Sequence, residues 1–415
     1  MDSRAIDTTC CIAGGGPAGL MAGLLLARAG IEVVVLEKHD DFLRDFRGDT
    51  IHPSTIDLLG ELGLAQAFLS LPHDELKGLD VVLSGNRINP VDFTTLRGGT
   101  RFLVLMPQWD FLDFIAAEAQ KLPTFRLITG AEATGLVTSG GRVAGVRAST
   151  TDGELTVTAT LTIAADGRGS AVREAAGLSV KHFGIDIDLL WFRLPITRRE
   201  RPTLAYLDQR SMVLTIPRDT YYQAGMLIPK GGYDAVVEEG LPALRARIAQ
   251  TAPVLAEAVD SLTDWPQVKL LSVQVNRAPR WYRPGLLCIG DAAHAMSPAF
   301  GVGVNFAIQD AVATANRVAA PLRNGTLGSY ELMRVQRRRL PPVRVMQAIQ
   351  LQLHKRIARP GPGVNLPTPL PWRIRFMLRL LLPIARRVTA RVVGRGIRPE
   401  HVSAELRELF DEAGR

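Results

Sequence analysis

Between Ile6 and Glu37 the chain sets a run of glycines between two apolar segments, and no other stretch constrains the fold as tightly. Cys10 to Ala13 ends a strand, and Gly14, Gly15, Gly16, Pro17, Ala18 and Gly19 form the turn. Leu20 to Ala29 then reads as a helix, and Ile31 to Leu36 as a second buried strand closed by Glu37. Strand, G-x-G-x-x-G turn and helix within one βαβ unit make a dinucleotide-binding fingerprint in its required context. Gly14 allows the tight turn, Gly16 lets the backbone approach a pyrophosphate, and Gly19 lets the helix pack closely on the strand. The helix N-terminus past Pro17, from Ala18 onward, offers free N–H groups and partial positive charge to the anion. Glu37, next to Lys38, is placed to accept hydrogen bonds from ribose hydroxyls, and its charge would repel a 2′-phosphate. The tightly held nucleotide is therefore FAD or NAD rather than NADP.

With 415 residues the chain has room for two or three domains, and 47% hydrophobic content supports a sizeable core. Its three cysteines, Cys10, Cys11 and Cys288, all fall in predicted strands. Their spacing suits neither a disulfide framework nor a metal site, which points to a reducing, cytoplasmic setting with no bound metal. The first residues are polar, so no signal peptide is read. The net charge of +8 is concentrated late, with eight arginines and no acidic residue between Arg373 and Arg398. Interleaved apolar residues make this a basic amphipathic helix, too interrupted by Pro383 and by arginines to span a bilayer. Docking of its apolar stripe on the protein body is expected ahead of peripheral membrane contact through residues 372–398. Nucleic acid is not expected as a partner, since no recognised binding module accompanies the charge.

Along the chain, Pro53 suits the first position of a helix over Ser54 to Leu62. Leu79 to Leu83 and Arg87 to Phe93 predict a hairpin, Arg101 to Met106 a strand, and Gln108 to Lys121 a helix. From Phe125 to Ile163 the pattern switches to short β-rich runs, expected as a small antiparallel sheet laid on the nucleotide core. Phe183 to Val275 reads as further strands, the last over Val268 to Val275, plus helices across Leu241 to Ala258, and carries Trp191, Phe192, Tyr206, Tyr221 and Tyr222. Leu286 to Ile289 returns to the nucleotide domain, a helix starts near Gly301 to Asn305, and Gly325 to Arg356 is helical with a kink at Pro341 and Pro342. Five prolines between 360 and 371 mark a linker before the basic helix. The class is α/β: a Rossmann-like nucleotide domain (1–76, 98–180 and 281–330), an interleaved α+β substrate domain with a mixed sheet (77–97 and 181–280), and C-terminal helices (331–415).

Three separated motifs stand in order: Gly14 to Gly19 with Glu37; Asp166 and Gly167 with Arg173; and Gly290 and Asp291 followed by Pro298, Gly301, Gly303 and Asn305. Together, over roughly residues 5 to 350, the chain resembles the single-component flavoprotein aromatic hydroxylases of the p-hydroxybenzoate hydroxylase fold, the group A flavin monooxygenases. The resemblance implies that Gly14, Gly16, Gly19 and Glu37 hold the ADP half of FAD, and that Arg47 and Gly48 lie along the ribityl chain and pyrophosphate. It implies that Gln108 touches the cofactor, that Asp166 and Gly167 serve FAD and transient binding of the reduced pyridine nucleotide, and that Asp291, after Gly290, bonds a ribityl hydroxyl. Pro298 and the backbone of Gly301, Val302, Gly303, Val304 and Asn305 would line the isoalloxazine ring. A physical reason supports the last assignment. A helix opening near Gly303 aims unpaired N–H groups and its dipole at the flavin edge where negative charge gathers on reduction.

No second strand, G-x-G-x-x-G and helix unit occurs, so a separate pyridine-nucleotide domain is not expected, and NADH or NADPH would dock transiently. The resemblance implies an FAD-dependent monooxygenase that uses O2 to hydroxylate an aromatic, phenolic or polyketide-like small molecule through a flavin 4a-hydroperoxide, and allows a homodimer. Pro298, Gly301 and Gly303 would flank the reacting ring. His52 and Tyr222, with Tyr206, Tyr221 and Arg193, are candidates for the substrate pocket. His294 is expected as a structural neighbour of the cofactor loop. Alternatives are a halogenase or prenyl-chain reductase on the same scaffold, or a non-catalytic FAD-binding partner protein. The Trp-x-Trp pattern of tryptophan-type halogenases is absent, because no two of the five tryptophans stand two residues apart.

Overall fold

The structure, a computed structural model, describes residues 4–43, 50–83, 85–197, 203–208, 211–357 and 372–414. Arg47, Gly48 and the proline-rich linker lie outside the described residues. The chain opens with β1 (Arg4–Ala13), α1 (Pro17–Arg28) and β2 (Val33–Leu36). Then come α2 (Pro53–Glu61), which begins at its proline, the hairpin strands β3 (Gly78–Leu83) and β4 (Asn86–Asp92), and α3 (Gln108–Gln120). Next are β5 (Phe125–Ile128), β6 (Glu132–Ser139), β7 (Arg142–Thr150), β8 (Gly153–Ala164) and α4 (Ala171–Ala175). The middle of the chain gives β9 (Ile187–Pro195), β10 (Thr203–Leu207), β11 (Met212–Pro217), β12 (Tyr221–Pro229), α5 (Leu241–Thr251) and β13 (Lys269–Leu271). It closes with β14 (Leu286–Cys288), α6 (Gly303–Arg323), α7 (Ser329–Ile357), α8 (Trp372–Gly394) and α9 (Ala404–Ala413).

One sheet runs β14, β8, β1, β2, β5, all parallel. The antiparallel ribbon β6–β7 is not a separate layer as expected: β8 is long enough to pair with β1 along its whole length, with β7 at its start and with β14 at its end. Nucleotide sheet and ribbon are therefore one hydrogen-bonded surface. The second sheet runs β13, β9, β12, β11, β10, β3, β4, and is mixed because β10 pairs with β3 in parallel. The hairpin thus completes the substrate sheet from across the sequence.

The helical stretch across Leu241 to Ala258 divides into α5 and a one-turn 3-10 helix at Pro253–Leu255, since Pro253 cannot donate to the ladder. Two expectations need correcting. The Val268 to Val275 strand divides into β13 and a short strand Val275–Arg277 that pairs with Lys181–Phe183 instead. An additional helix, α9, follows the basic one, capped by the Ser403 hydroxyl. Helix α7 is continuous from Ser329 to Ile357 with Pro341 and Pro342 inside it.

The basic helix α8 divides in use. Its C-terminal part docks on the hairpin: Ala390 and Val393 are buried, Arg386 Nε donates to Asn89 O at 2.7 Å, and the Thr389 hydroxyl donates to Pro90 O. Leu381, Ile384 and Val388 remain exposed. The buried residues of α7, α8 and α9 join the apolar cluster of the nucleotide sheet, so these helices share that core. Among the described residues, no helix is long and apolar enough to cross a membrane.

Candidate functional site

The fingerprint turn is built from backbone. Gly14 takes φ 106°, and a Cβ there would lie 2.4 Å from Ala165 O. A Cβ on Gly19 would lie 1.9 Å from Gly14 O, so α1 reaches β1 only because that atom is missing. Gly16 differs: a Cβ there would meet nothing within 4 Å. It would enter the space in front of α1, whose N-terminus has no side-chain cap. Glu37 is buried beneath the turn and accepts N–H bonds from Gly15 at 2.9 Å and His39 at 3.2 Å. Each carboxylate oxygen keeps acceptor capacity for a ribose hydroxyl. Lys38 beside it is exposed.

Two further motifs meet this turn. Asp166 accepts from Ser170 Oγ and from Val172 N–H, which fixes the start of α4, and burial pushes its carboxyl up against those hydrogen bonds. Arg173, buried on α4, donates to Ala292 O at 2.9 Å and Arg168 O at 3.1 Å, tying the Asp166–Gly167 turn to the Gly290–Asp291 turn. Gly290, with φ 57°, is wedged between α1 and α6: a Cβ would lie 3.0 Å from Ala18 Cβ and 3.4 Å from Ala307 Cβ. Asp291 stays partly exposed, 3.9 Å from Arg168. Gln108 is buried at the first turn of α3.

The Pro298 to Asn305 loop is held from several sides. Gly301 O receives the Thr50 hydroxyl at 3.1 Å and faces His52 Nε2 at 3.0 Å. A Cβ on Gly301 would lie 2.2 Å from Thr50 Oγ1. Asn305 Oδ1 accepts from Ser54 at 2.8 Å and Thr55 at 2.9 Å, which lashes α6 to α2. Val302 and Val304 turn their side chains into the core, and α6 starts without a side-chain cap. Its first N–H groups are left to point out of the helix end. Gly303, like Gly16, would place a Cβ in open space. Pro298 is exposed at the loop's entrance.

Behind this loop lies a network that the sequence reading missed. Asp310, fully buried on α6, accepts from Gly290 N–H at 3.0 Å, His294 Nε2 at 2.6 Å and Arg339 Nε at 2.9 Å. Burial works to raise its carboxyl, but His294 and Arg339 outweigh that and hold it below the usual range. Arg339 also reaches Glu400 Oε1 at 3.4 Å and Arg398 O at 3.2 Å. An acid beside Gln309 within the mostly apolar run Phe306 to Val312 was the available signal.

Both pocket candidates are relocated. His52 is fully buried, with Nδ1 2.8 Å from Val393 O and Nε2 3.0 Å from Gly301 O. A neutral imidazole donates through one nitrogen only. Burial lowers the His52 pKa despite the two carbonyls that favour the proton, so it is a neutral strut between α8 and the loop. Tyr222 pairs with Leu194 on the sheet face that packs beneath α5, within a cluster containing Leu244 and Ile248. The opposite face carries Trp191, Tyr221 and Arg193, the Arg193 guanidinium lying 5.3 Å from the Tyr221 ring centre, and Leu351 of α7 packs against that side. Burial pushes the Cys11 and Cys288 thiols up to about 12, which leaves them unsuited to redox work.

Two uncapped helix ends, each fronted by a glycine whose missing Cβ opens onto free space, with a buried carboxylate beside one of them, fit the two ends of an extended dinucleotide such as FAD. The chain belongs to the FAD binding domain family of the group A flavin monooxygenases, whose pattern matches residues 7–347. It is 34% identical over 365 residues to a 6-methylpretetramide 4-monooxygenase of Streptomyces rimosus, covering 85% of each chain. Its fold is similar to that of OxyS, an anhydrotetracycline hydroxylase from Streptomyces rimosus, with TM-score 0.74 and 22% identity over 94% of this chain and 76% of that one. The flavin-dependent brominase Bmp2 gives TM-score 0.74 at 19% identity, covering 99% of each. Such structural likeness shows the fold alone; the sequence relative and the family make this chain an FAD-dependent monooxygenase.

Proposed function

We propose that the chain hydroxylates an aromatic, polyketide-like small molecule with O2, taking electrons from NADH or NADPH that docks transiently. The observation that carries this reading is the Pro298 to Asn305 loop, pinned by Thr50, Asn305 and the α7 glutamine Gln350, with the bare N-terminus of α6 behind it. When bound, FAD supplies electron transfer from the pyridine nucleotide and activation of oxygen. The protein's part is to hold and to exclude. Gly16 and the α1 terminus take the pyrophosphate, Glu37 the adenosine ribose, and Asp291 a ribityl hydroxyl. The N–H groups opening α6 would stabilise negative charge at the ring edge without a titrating side chain, and buried His52 braces the loop that carries them. Arg193, Tyr221 and Trp191 lie on the substrate-sheet face that α7 covers and are the candidates for contact with the aromatic ring.

The 6-methylpretetramide monooxygenase supports a polycyclic phenolic substrate over a single-ring phenol. The test is steady-state oxidation of NADH and NADPH by the FAD-loaded protein, with and without polycyclic phenols, using isotope-labelled oxygen gas. Stimulated oxidation with one labelled oxygen atom in the product supports hydroxylation. Oxidation that yields only hydrogen peroxide with every aromatic tried, or a halogenated product when halide is added, overturns it.

A further inference from the structure

Phe300 has φ 67°, the one positive value outside glycine among the described residues. An L side chain there costs on the order of 1–3 kcal/mol and persists only where its surroundings impose it. The surroundings are specific. Gly301 N–H donates to Pro298 O at 3.0 Å, and Ala299 N–H to Ser297 Oγ at 3.1 Å. Gln350 of α7 donates to Ser297 O at 3.0 Å and Ala299 O at 3.1 Å, and accepts from Ser297 N–H at 3.2 Å. The backbone so fixed places Phe300 beside α7. There it lines a cavity of about 630 Å³ with Arg344, Val345, Ala348, Ile349, Gln352 and Leu353.

The wall is mostly apolar, and Val345 and Ile349 keep 47% and 40% of their surface exposed, unusual for aliphatic side chains beside a core. Its polar end is cationic. Helix α7 has no acidic residue after Glu331, and Arg344 makes no salt bridge among the described residues. Arg277 lies close enough for Arg344 to oppose its charge. A flat cavity of several hundred Å³ next to the flavin loop suits a multi-ring ligand, and an arginine without a counterion suits an anionic oxygen.

We propose that this cavity binds the part of the substrate remote from the reacting ring: fused aromatic rings against Phe300 and the Val345 to Leu353 wall, with a carboxylate at Arg344. The proposal rests on the monooxygenase reading and narrows its substrate to acidic polycycles. The FAD-loaded protein is titrated with rhein, a dihydroxyanthraquinone carboxylate, and with aloe-emodin, the same rings bearing hydroxymethyl instead, following flavin absorbance. Rhein is expected to bind about tenfold tighter, or about 1.4 kcal/mol. Arg344→Gln should remove that preference and leave aloe-emodin unchanged, and Arg344→Lys should restore part of it. Phe300→Gly, which suits the positive φ and so keeps the loop fold, should weaken both ligands. Equal binding of the two by the wild type, or a rhein preference that survives Arg344→Gln, overturns the proposal. Binding that follows these rules without any stimulated NAD(P)H oxidation leaves the cavity standing and removes the monooxygenase reading; stimulated hydroxylation insensitive to both substitutions does the reverse.

Discussion

The two ends of the cofactor site are built in opposite ways. The adenosine end, Gly14 to Glu37, is local: its geometry comes from absent side chains, an uncapped helix end and one carboxylate twenty-odd residues away. The ring end, Gly290 to Asn305, is assembled from α2, α6, α7 and α8, through His52, Asn305, Gln350 and the buried Asp310 with its partners. The first end is specified by backbone, the second by tertiary contacts. The adenosine end should therefore be disrupted through its own backbone and the ring end through its supporting contacts, while at either end a side chain on the glycine that faces open space should exclude the ligand.

Substitutions can break that comparison. The largest effect is expected from Gly19→Val, whose Cβ would strike Gly14 O: the protein should lose several kcal/mol of stability or fail to fold, read by thermal melting. Asp310→Asn comes next. It leaves buried His294 and Arg339 without their anion, and should cost about 3–5 kcal/mol with loss of bound flavin. Asn305→Ala orphans the Ser54 and Thr55 hydroxyls and should cost about 1–3 kcal/mol, with weaker FAD retention measured by fluorescence on release.

A smaller, pH-linked effect belongs to the ring end alone. Burial lowers the His52 pKa below its ordinary 6.5. The unfolded chain therefore binds a proton that the folded one refuses, so stability falls as pH drops through about 6.5, at up to about 1.4 kcal/mol per pH unit. Burial lowers His354 in the same direction. His52→Gln should flatten the acid side of a melting-temperature profile between pH 7 and 5; an unchanged slope would mean that His52 is protonated in the fold. At the bottom of the scale, Ile384→Gln on the exposed side of α8 should change stability by less than about 0.5 kcal/mol.

How much could be read beforehand follows the same division. The Gly14 to Gly19 turn, Glu37, the Gly-Asp pair and the Gly301 to Asn305 helix start were legible because each is a short-range pattern with a local physical reason. The hairpin was legible as part of the substrate domain, but its partner strand was not, since β10 lies more than a hundred residues away and leaves no periodic trace in sequence. Nor was the face of Tyr222: alternation along β12 says that Tyr221 and Tyr222 point oppositely, but only packing by α5 says which one is covered. His52 was expected in the substrate pocket, because a histidine beside a cofactor loop can line one. Two carbonyls at its ring nitrogens, one from α8 at the far end of the chain, decide otherwise.

The account's central claim is that Gly16 and Gly303 face the two ends of one resident FAD. Its most direct test is the flavin-to-protein ratio of purified Gly303→Val, with the melting temperature of its flavin-free form. A Cβ at this position meets no protein atom within 4 Å, so the apo-protein should melt close to wild type while the bound flavin is lost, as for Gly16→Val. A Gly303→Val protein that purifies yellow and fully loaded would contradict the claim.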